Sequence, residues 1–217
     1  MPWYLLRNGL ENLCLTSSAF LAIKNQFVKS LATFSVASYL IGIGDRHLEN
    51  YLVDTSDGEV LGIDFGIAFG SGLQLGIPEL MPFRLTQQIE GVIAPHPLEG
   101  VYKQTMVNAM LALRKRKSLI MDTCEIFVKE PLLDWVKDAK QRQQQGLQNK
   151  NDESASAVMA GSMMSEYEEE LQELSWYPRK KVEVVKWKLN GYHPVKVVER
   201  ELKDSRHEKK VTLFNVF

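Results

Sequence analysis

Apolar residues recur at three- and four-residue steps from Phe20 through Ile23, Phe27 and Leu31 to Phe34, a spacing that places them on one face of a helix. Ser17 and Ser18 precede the run and are candidate N-caps, because a serine hydroxyl can accept the backbone N–H groups that a first helical turn leaves unsatisfied. The uncharged stretch from Ser30 to Gly44 carries the same helix towards a glycine-bearing loop. It is shorter than the ~20 residues a membrane span requires, so it reads as a buried helix. Two further helical patterns run from about Leu98 to Arg116 and from about Ile120 to Lys129, the second stopped by Pro131.

Between the first helix and the next the period changes. Asn50 to Val53 and Glu59 to Ile63 are short apolar runs on either side of Asp54-Thr55-Ser56-Asp57-Gly58, a turn-forming cluster with an Asp-Gly pair, which together predict a β-hairpin. In a direct register the residue opening the first strand faces the one closing the second. Asn50 and Asp64 are then expected as near cross-strand neighbours, with Cβ atoms roughly 5 Å apart. Two oxygen donors brought together in this way suit a single hard cation.

Asp45 stands five positions before Asn50, and Asp64 opens an Asp-Phe-Gly triplet with Phe65 and Gly66. Phosphoryl transfer asks for this order of groups: an aspartate to take the substrate hydroxyl proton, an asparagine five residues later, and a downstream Asp-Phe-Gly aspartate, the last two holding magnesium. Taken singly, each element is ordinary turn or cap chemistry. Taken jointly, they are specific.

The order Asp45-Arg46-His47, within GIGDRHLEN, reverses the His-Arg-Asp of most protein kinases and resembles the phosphatidylinositol 3-kinase-related kinases. The likeness continues through IGIDFG, AFGSG, PELMPFRLT (Pro78 to Thr86), FVKEPLLDW (Phe127 to Trp135) and WYPRKK (Trp176 to Lys181). It is dense from Ser17 to Trp135 and looser from Leu171 to about Lys209. The resemblance implies an α+β fold, the mostly helical C-terminal lobe of a phosphoinositide-kinase-type kinase with a small hairpin at the cleft. It implies a serine/threonine protein kinase that uses ATP and Mg2+ on protein substrates. Asp45 and His47 would be the catalytic residues, Leu52 and Ile63 the apolar floor under adenine, and Asn50 and Asp64 the magnesium ligands. His47 would act as a charge or hydrogen-bond donor, with an ordinary packed or capping histidine as the alternative. Arg46 receives no catalytic role, since an arginine here can equally brace backbone.

PFRLT and FVKEP narrow the resemblance to the branch of the family that repairs DNA double-strand breaks by end joining. Nuclear localisation, the Ku heterodimer and DNA ends follow as implied context, reached through regions outside this chain. Residues 1–140 read as the kinase lobe, 141–165 as a disordered polar insert and 166–217 as a C-terminal helical extension without a recognisable FATC segment. Ile67 to Arg84 is then the activation loop.

Composition adds limits. The 217 residues carry a net charge of −1, with 45% hydrophobic and 24% charged residues, the profile of a soluble globular domain without a nucleic-acid patch. The one basic run, Arg114 to Lys117, closes a helical pattern, where cations complement the helix dipole; the alternative is a nuclear-localisation signal. Cys14 and Cys124 lack paired spacing, which points away from a disulfide framework or zinc site and towards a reducing, intracellular setting. No charged-then-apolar leader opens the sequence. The polar segment from Gln141 to about Ser165 loses all apolar periodicity, and Met159, Met163 and Met164 within it read as linker before docking patch. Acidic residues from Glu166 suit a returning helix, with Trp176 and Trp187 as anchors.

A kinase also needs a glycine-rich loop and a strand lysine in its N-terminal lobe, yet Gly9 is the sole glycine before Gly42. The expectation is therefore a C-terminal lobe whose isolated polypeptide is inactive. Two rivals remain. A phosphoinositide lipid kinase shares the Asp-Arg-His order, but Ile67 to Pro82 offers no lysine or arginine for an anionic headgroup. A non-catalytic fragment for partner docking is the other.

Overall fold

The computed structural model describes residues 2–75, 77–81, 83–129 and 176–204. The polar 141–165 segment, the helix expected near Ser165 and the stop at Pro131 lie outside them. In order come α1 (Leu5–Asn12), α2 (Ser17–Ile41), a 3-10 turn (Leu48–Asn50), β1 (Tyr51–Val53), β2 (Val60–Gly62), a second 3-10 turn (Ser71–Gln74), α3 (Gln87–Ile93), α4 (Val101–Lys115), α5 (Lys117–Lys129), α6 (Trp176–Leu189) and α7 (Pro194–Asp204). The architecture is α+β: mostly helical, with a two-stranded antiparallel sheet. Two compact units divide the chain, Met1–Arg116 with Trp187–Phe217, and Lys117–Lys186.

In the first unit α2 is the axis. Its start differs from expectation by one residue: Thr16, in an extended conformation, is the N-cap, its hydroxyl accepting the Ala19 N–H at 3.1 Å, while Ser17 is already helical. Such a cap contributes about 1 kcal/mol. Phe27, Val28, Leu31, Ala32, Val36 and Leu40 are buried along the helix, as the apolar spacing requires. α4 lies against α2, where the buried Tyr102 and Ser35 hydroxyls share a hydrogen bond of 3.0 Å. This pairing answers the polar-burial cost that either group would carry alone.

Helix α3 packs on both α1 and α2 through Ile89, Val92 and Ile93. Lys24, buried in the N-terminal third of α2, donates its ammonium to the Ala94 carbonyl at the end of α3. A cation at a helix C-terminus is favoured by the peptide dipoles, while burial, with Arg7 adding to it, lowers the Lys24 pKa. The hairpin rests on α2 through β2: the Val60 N–H donates to Ser30 Oγ at 2.9 Å. At Gly62 the Phe34 ring lies so close that a Cβ there would stand 2.2 Å from Cζ.

The end of α6 and helix α7 bring further polar fixings to this unit. Lys188 donates to the Tyr39 carbonyl at 2.8 Å and stands over the Tyr39 ring, and Arg200 stacks 4.0 Å from the centroid of the buried Trp187 ring. Arg114 and Lys115 occupy the last turn of α4, the helix-closing position read from the sequence. In the second unit Cys124 is buried, and its burial pushes the thiol pKa up.

Two glycines separate overpacking from helix propensity. A Cβ on Gly91 would meet the Trp3 carbonyl oxygen at 2.3 Å, whereas Gly9 in α1 has open space around it. Gly91→Ala should destabilise the chain by about 1–3 kcal/mol through overpacking. Gly9→Ala should stabilise it by about 0.5–1 kcal/mol, since alanine loses less backbone entropy in a helix. Urea denaturation of the two variants beside the parent measures both signs.

Candidate active site

The loop that carries Asp45 begins where α2 ends. Gly42 adopts a left-handed conformation and returns its N–H to the Ser38 carbonyl. Beyond it the backbone is stitched to the segment after Asp64: Phe69 N–H donates to Ile41 O at 2.9 Å, Gly70 N–H to Gly42 O at 3.0 Å and Gly44 N–H to Ile67 O at 2.9 Å. Residues far apart in sequence are thereby held as one backbone unit.

Arg46 fills the space between these segments. It is buried, at 6% exposure, and its guanidinium donates to three main-chain carbonyls: Nε to Gly44 at 2.8 Å, Nη1 to Ile63 at 2.9 Å and Nη2 to Asp64. The same group stands 5.5 Å from the centre of the Phe65 ring. A planar fork of N–H groups serves several carbonyls at once, where a lysine ammonium has only a point charge to offer. Tyr51 lies close by; burial raises its phenol pKa and the Arg46 cation works against that rise.

Asn50, also buried, donates Nδ2 to the Asp45 carbonyl at 2.7 Å, so the two residues that stand five apart in the sequence are joined directly. The hairpin register differs from the direct one. Tyr51 pairs with Gly62, Leu52 with Leu61 and Val53 with Val60, and Ile63 N–H reaches Asn50 O at 3.1 Å. Asn50 thus faces Ile63, and Asp64 lies one residue past the ladder. The turn is the reason: Asp54 belongs to the ladder, its N–H donating to Glu59 O at 2.8 Å, which leaves Thr55 to Gly58 as the loop. Gly58 (φ +85°) sits where a Cβ would be 2.5 Å from the Ile23 carbonyl oxygen, so this register is the one that docks on α2.

Both Asp45 (φ 53°) and Asp64 (φ 56°) occupy the left-handed region, which aspartate visits more readily than most residues but at some cost in strain. The Asp64 carboxylate is exposed and accepts the Gly66 N–H through Oδ1 at 3.2 Å. His47 is flanked by acids, with Nε2 4.0 Å from Asp45 Oδ2 and Nδ1 3.9 Å from Glu49 Oε2. Leu52 and Ile63 are 49% and 40% exposed, and with Leu61 they form an apolar surface on the hairpin, while Tyr51 and Gly62 meet Phe34 of α2.

The donor chemistry of Asn50 and Asp64 fits magnesium. Because Nδ2 of Asn50 is engaged, the atom left for a cation is Oδ1, and Asp64 contributes a carboxylate; both are hard oxygens. Among the described residues no cluster of three or more His, Cys, Asp or Glu gathers to hold a metal.

Glu79 carries no role that the sequence signals, and the structure brings it to the centre. Its Oε2 accepts the Asp45 backbone N–H at 2.7 Å across a separation of 34 residues. PELMPFRLT marks the segment, but nothing in its spacing ties it to Asp45. A cavity of about 370 Å³ lies behind the loop, lined by Gly44, Glu79, Leu80, Lys188 and Val198 among others, and by none of Asp45, His47, Asn50 or Asp64.

Replacing Arg46 should loosen both segments together. Arg46→Met leaves the Gly44, Ile63 and Asp64 carbonyls without their charged donor and should cost at least ~2 kcal/mol, given about 1.5–3 for a hydrogen bond to a charged group. Arg46→Lys should recover only part of this, because one ammonium cannot reach three carbonyls in the same geometry. Denaturation midpoints, with amide exchange followed at Ile63 to Gly66, check the effect.

A family model described as "Phosphatidylinositol 3- and 4-kinase" matches residues 11–137. The DNA-dependent protein kinase catalytic subunit of Dictyostelium discoideum is 40% identical over 209 residues, which is 95% of this chain and 4% of that protein. Its counterpart in Gallus gallus is 39% identical over 204 residues, 94% of this chain and 4% of that protein. The chain thus spans about 4% of the length of these curated relatives. Among solved structures, the FAT and kinase domain of CtTel1 superposes with a TM-score of 0.66 at 24% identity, covering 93% of this chain and 12% of that one, a likeness of fold.

Proposed function

Because this chain belongs to the phosphatidylinositol 3- and 4-kinase family, we propose that it is the catalytic C-terminal lobe of a serine/threonine protein kinase that transfers the γ-phosphoryl of ATP to protein hydroxyls. The relatives it matches over most of its length carry protein-kinase names. Ile67 to Pro82 contains no lysine or arginine for an inositol phosphate, which disfavours a lipid substrate. The observation that supports the reading most is the joining of Asp45 to Asn50 by one hydrogen bond while Arg46 clamps the backbone of Asp64 into the same cluster.

In this reading Asp45 orients the substrate hydroxyl and takes its proton as the oxygen bonds to the γ-phosphorus and the bond to the β,γ-bridging oxygen breaks. His47 offers a hydrogen bond or charge to the transferring group, with Asp45 and Glu49 beside its ring nitrogens. Leu52 and Ile63 receive the adenine on their exposed apolar face. Asn50 and Asp64 hold magnesium, which when bound supplies neutralisation of phosphate charge. By the same resemblance, the larger protein acts in the nucleus on DNA double-strand breaks, by end joining with the Ku heterodimer and DNA ends engaged by regions other than this chain.

In the longest natural polypeptide that carries this lobe, Asp45→Asn should lower kcat by about 10²–10⁴-fold, the range for a general base, with little change in ATP affinity. Asp64→Asn should weaken both turnover and ATP binding. Steady-state rates and nucleotide titrations on the two variants decide: unchanged turnover with weakened ATP binding in Asp45→Asn would remove the assignment.

The 217-residue polypeptide alone should bind ATP weakly and give no detectable protein phosphorylation. Its residues include no glycine-rich loop or strand lysine to cradle the phosphates, and positioning of reactants can account for ~7–11 kcal/mol of barrier. A radiometric assay with Mg2+ and a serine peptide tests this, and robust activity abolished by Asp64→Ala would contradict it.

A further inference from the structure

We propose that Glu79 is a positioning residue for Asp45 and makes the catalytic aspartate's geometry depend on the activation segment being in place. This rests on the reading that Asp45 acts on the substrate hydroxyl. Asp45 sits at φ 53°, a backbone state that persists in a non-glycine residue only where its surroundings over-determine it. Two contacts do so. The Asp45 carbonyl accepts Asn50 Nδ2 at 2.7 Å, and the Asp45 N–H donates to Glu79 Oε2 at 2.7 Å. The peptide groups on both sides of Asp45 are thereby held, and the side chain keeps only its own torsions.

The slot that receives Glu79 is shaped for a carboxylate. A Cβ on Gly44 would lie 2.6 Å from Glu79 Oε2, and one on Gly72 would lie 2.8 Å from it; any other residue at either position would crowd the oxygen. The Glu79 N–H donates to the Gly72 carbonyl at 3.0 Å, so the carboxylate approaches from a backbone that is itself tied to the 3-10 turn at Ser71–Gln74. Gly72 and Glu79 both belong to the segment that follows Asp64, the part expected to meet the protein substrate. Displacing that segment withdraws the acceptor from Asp45 and frees a strained residue to relax, which couples the state of the substrate-facing segment to that of the proton acceptor.

The test has two arms. In this chain, amide hydrogen exchange over Gly44 to His47 should quicken in Glu79→Ala and stay near the parent in Glu79→Gln, whose amide oxygen can still accept. In the longest natural polypeptide carrying the lobe, Glu79→Ala should lower kcat by about 100-fold, the cost of an ångström-scale misplacement, with KM for ATP within about twofold. Glu79→Gln should recover most of the rate. Adding Glu79→Ala to Asp45→Asn should lower kcat no further, which separates positioning from general loss of structure.

If Glu79→Ala does not fold, Glu79→Asp decides, since its shorter side chain cannot span the gap and should reproduce the loss of protection at Asp45 in a folded chain. Unchanged exchange in both Glu79→Ala and Glu79→Asp overturns the proposal, as does a kcat that stays at the parent level while Asp45→Asn abolishes it. Should Asp45→Asn leave turnover intact, the kinase reading of Asp45 fails, and the exchange arm still reports on the Glu79 contact.

Discussion

Burial of α2 along its length organises the first unit. α1, α3, α4 and β2 all pack on this one helix, so its buried residues set the positions of everything around them. The apolar face supplies the driving force, but the polar contacts on it give direction. Ser30 takes a hairpin N–H, Ser35 meets Tyr102 and Lys24 closes the end of α3. Apolar burial is indifferent to small rotations, whereas an unpaired buried donor or acceptor is not. The hairpin is therefore docked at a defined height on α2, and the loop leaving α2 at Gly42 reaches the hairpin with Asp45 already placed.

That placement yields a site built mainly from backbone. Three carbonyls converge on Arg46, one on Asn50, and one N–H on Glu79. The two aspartates both sit in the left-handed region, where a loop without these tethers would relax. Groups held rigidly before reaction need no reorganisation during it, which is how fixed geometry contributes to phosphoryl transfer. Leu52, Leu61 and Ile63 form an exposed apolar surface on the hairpin beside this network.

The motifs in Asp45-Arg46-His47 and Asp64-Phe65-Gly66 point to the phosphatidylinositol 3-kinase-related kinases, and the family match over residues 11–137 with the 40% identity to a curated relative bears that out. The chain spans about 4% of the length of those relatives. Local chemistry is what it carries: carboxylates, an amide and the arginine that gathers their backbone.

Elements with local signals are legible in the order of residues alone. The three- and four-residue apolar steps between Phe20 and Phe34 specify α2, the Asp-Gly cluster specifies a hairpin, and the basic run marks the end of α4. The candidate chemistry is also proposed from order alone, because five-residue spacing and an Asp-Phe-Gly triplet can be read without coordinates. The remainder belongs to the packed chain. The cap falls on Thr16 and not on Ser17 or Ser18, since neighbouring hydroxyls compete and backbone conformation selects one. Asn50 comes opposite Ile63, because Gly58 must clear the Ile23 carbonyl as the hairpin docks. The bracing of Ile63 and Asp64 by Arg46, and of Asp45 by Glu79, spans 17, 18 and 34 residues. No periodicity encodes a contact at that separation; it exists only once α2, the hairpin and the segment after Asp64 are packed together.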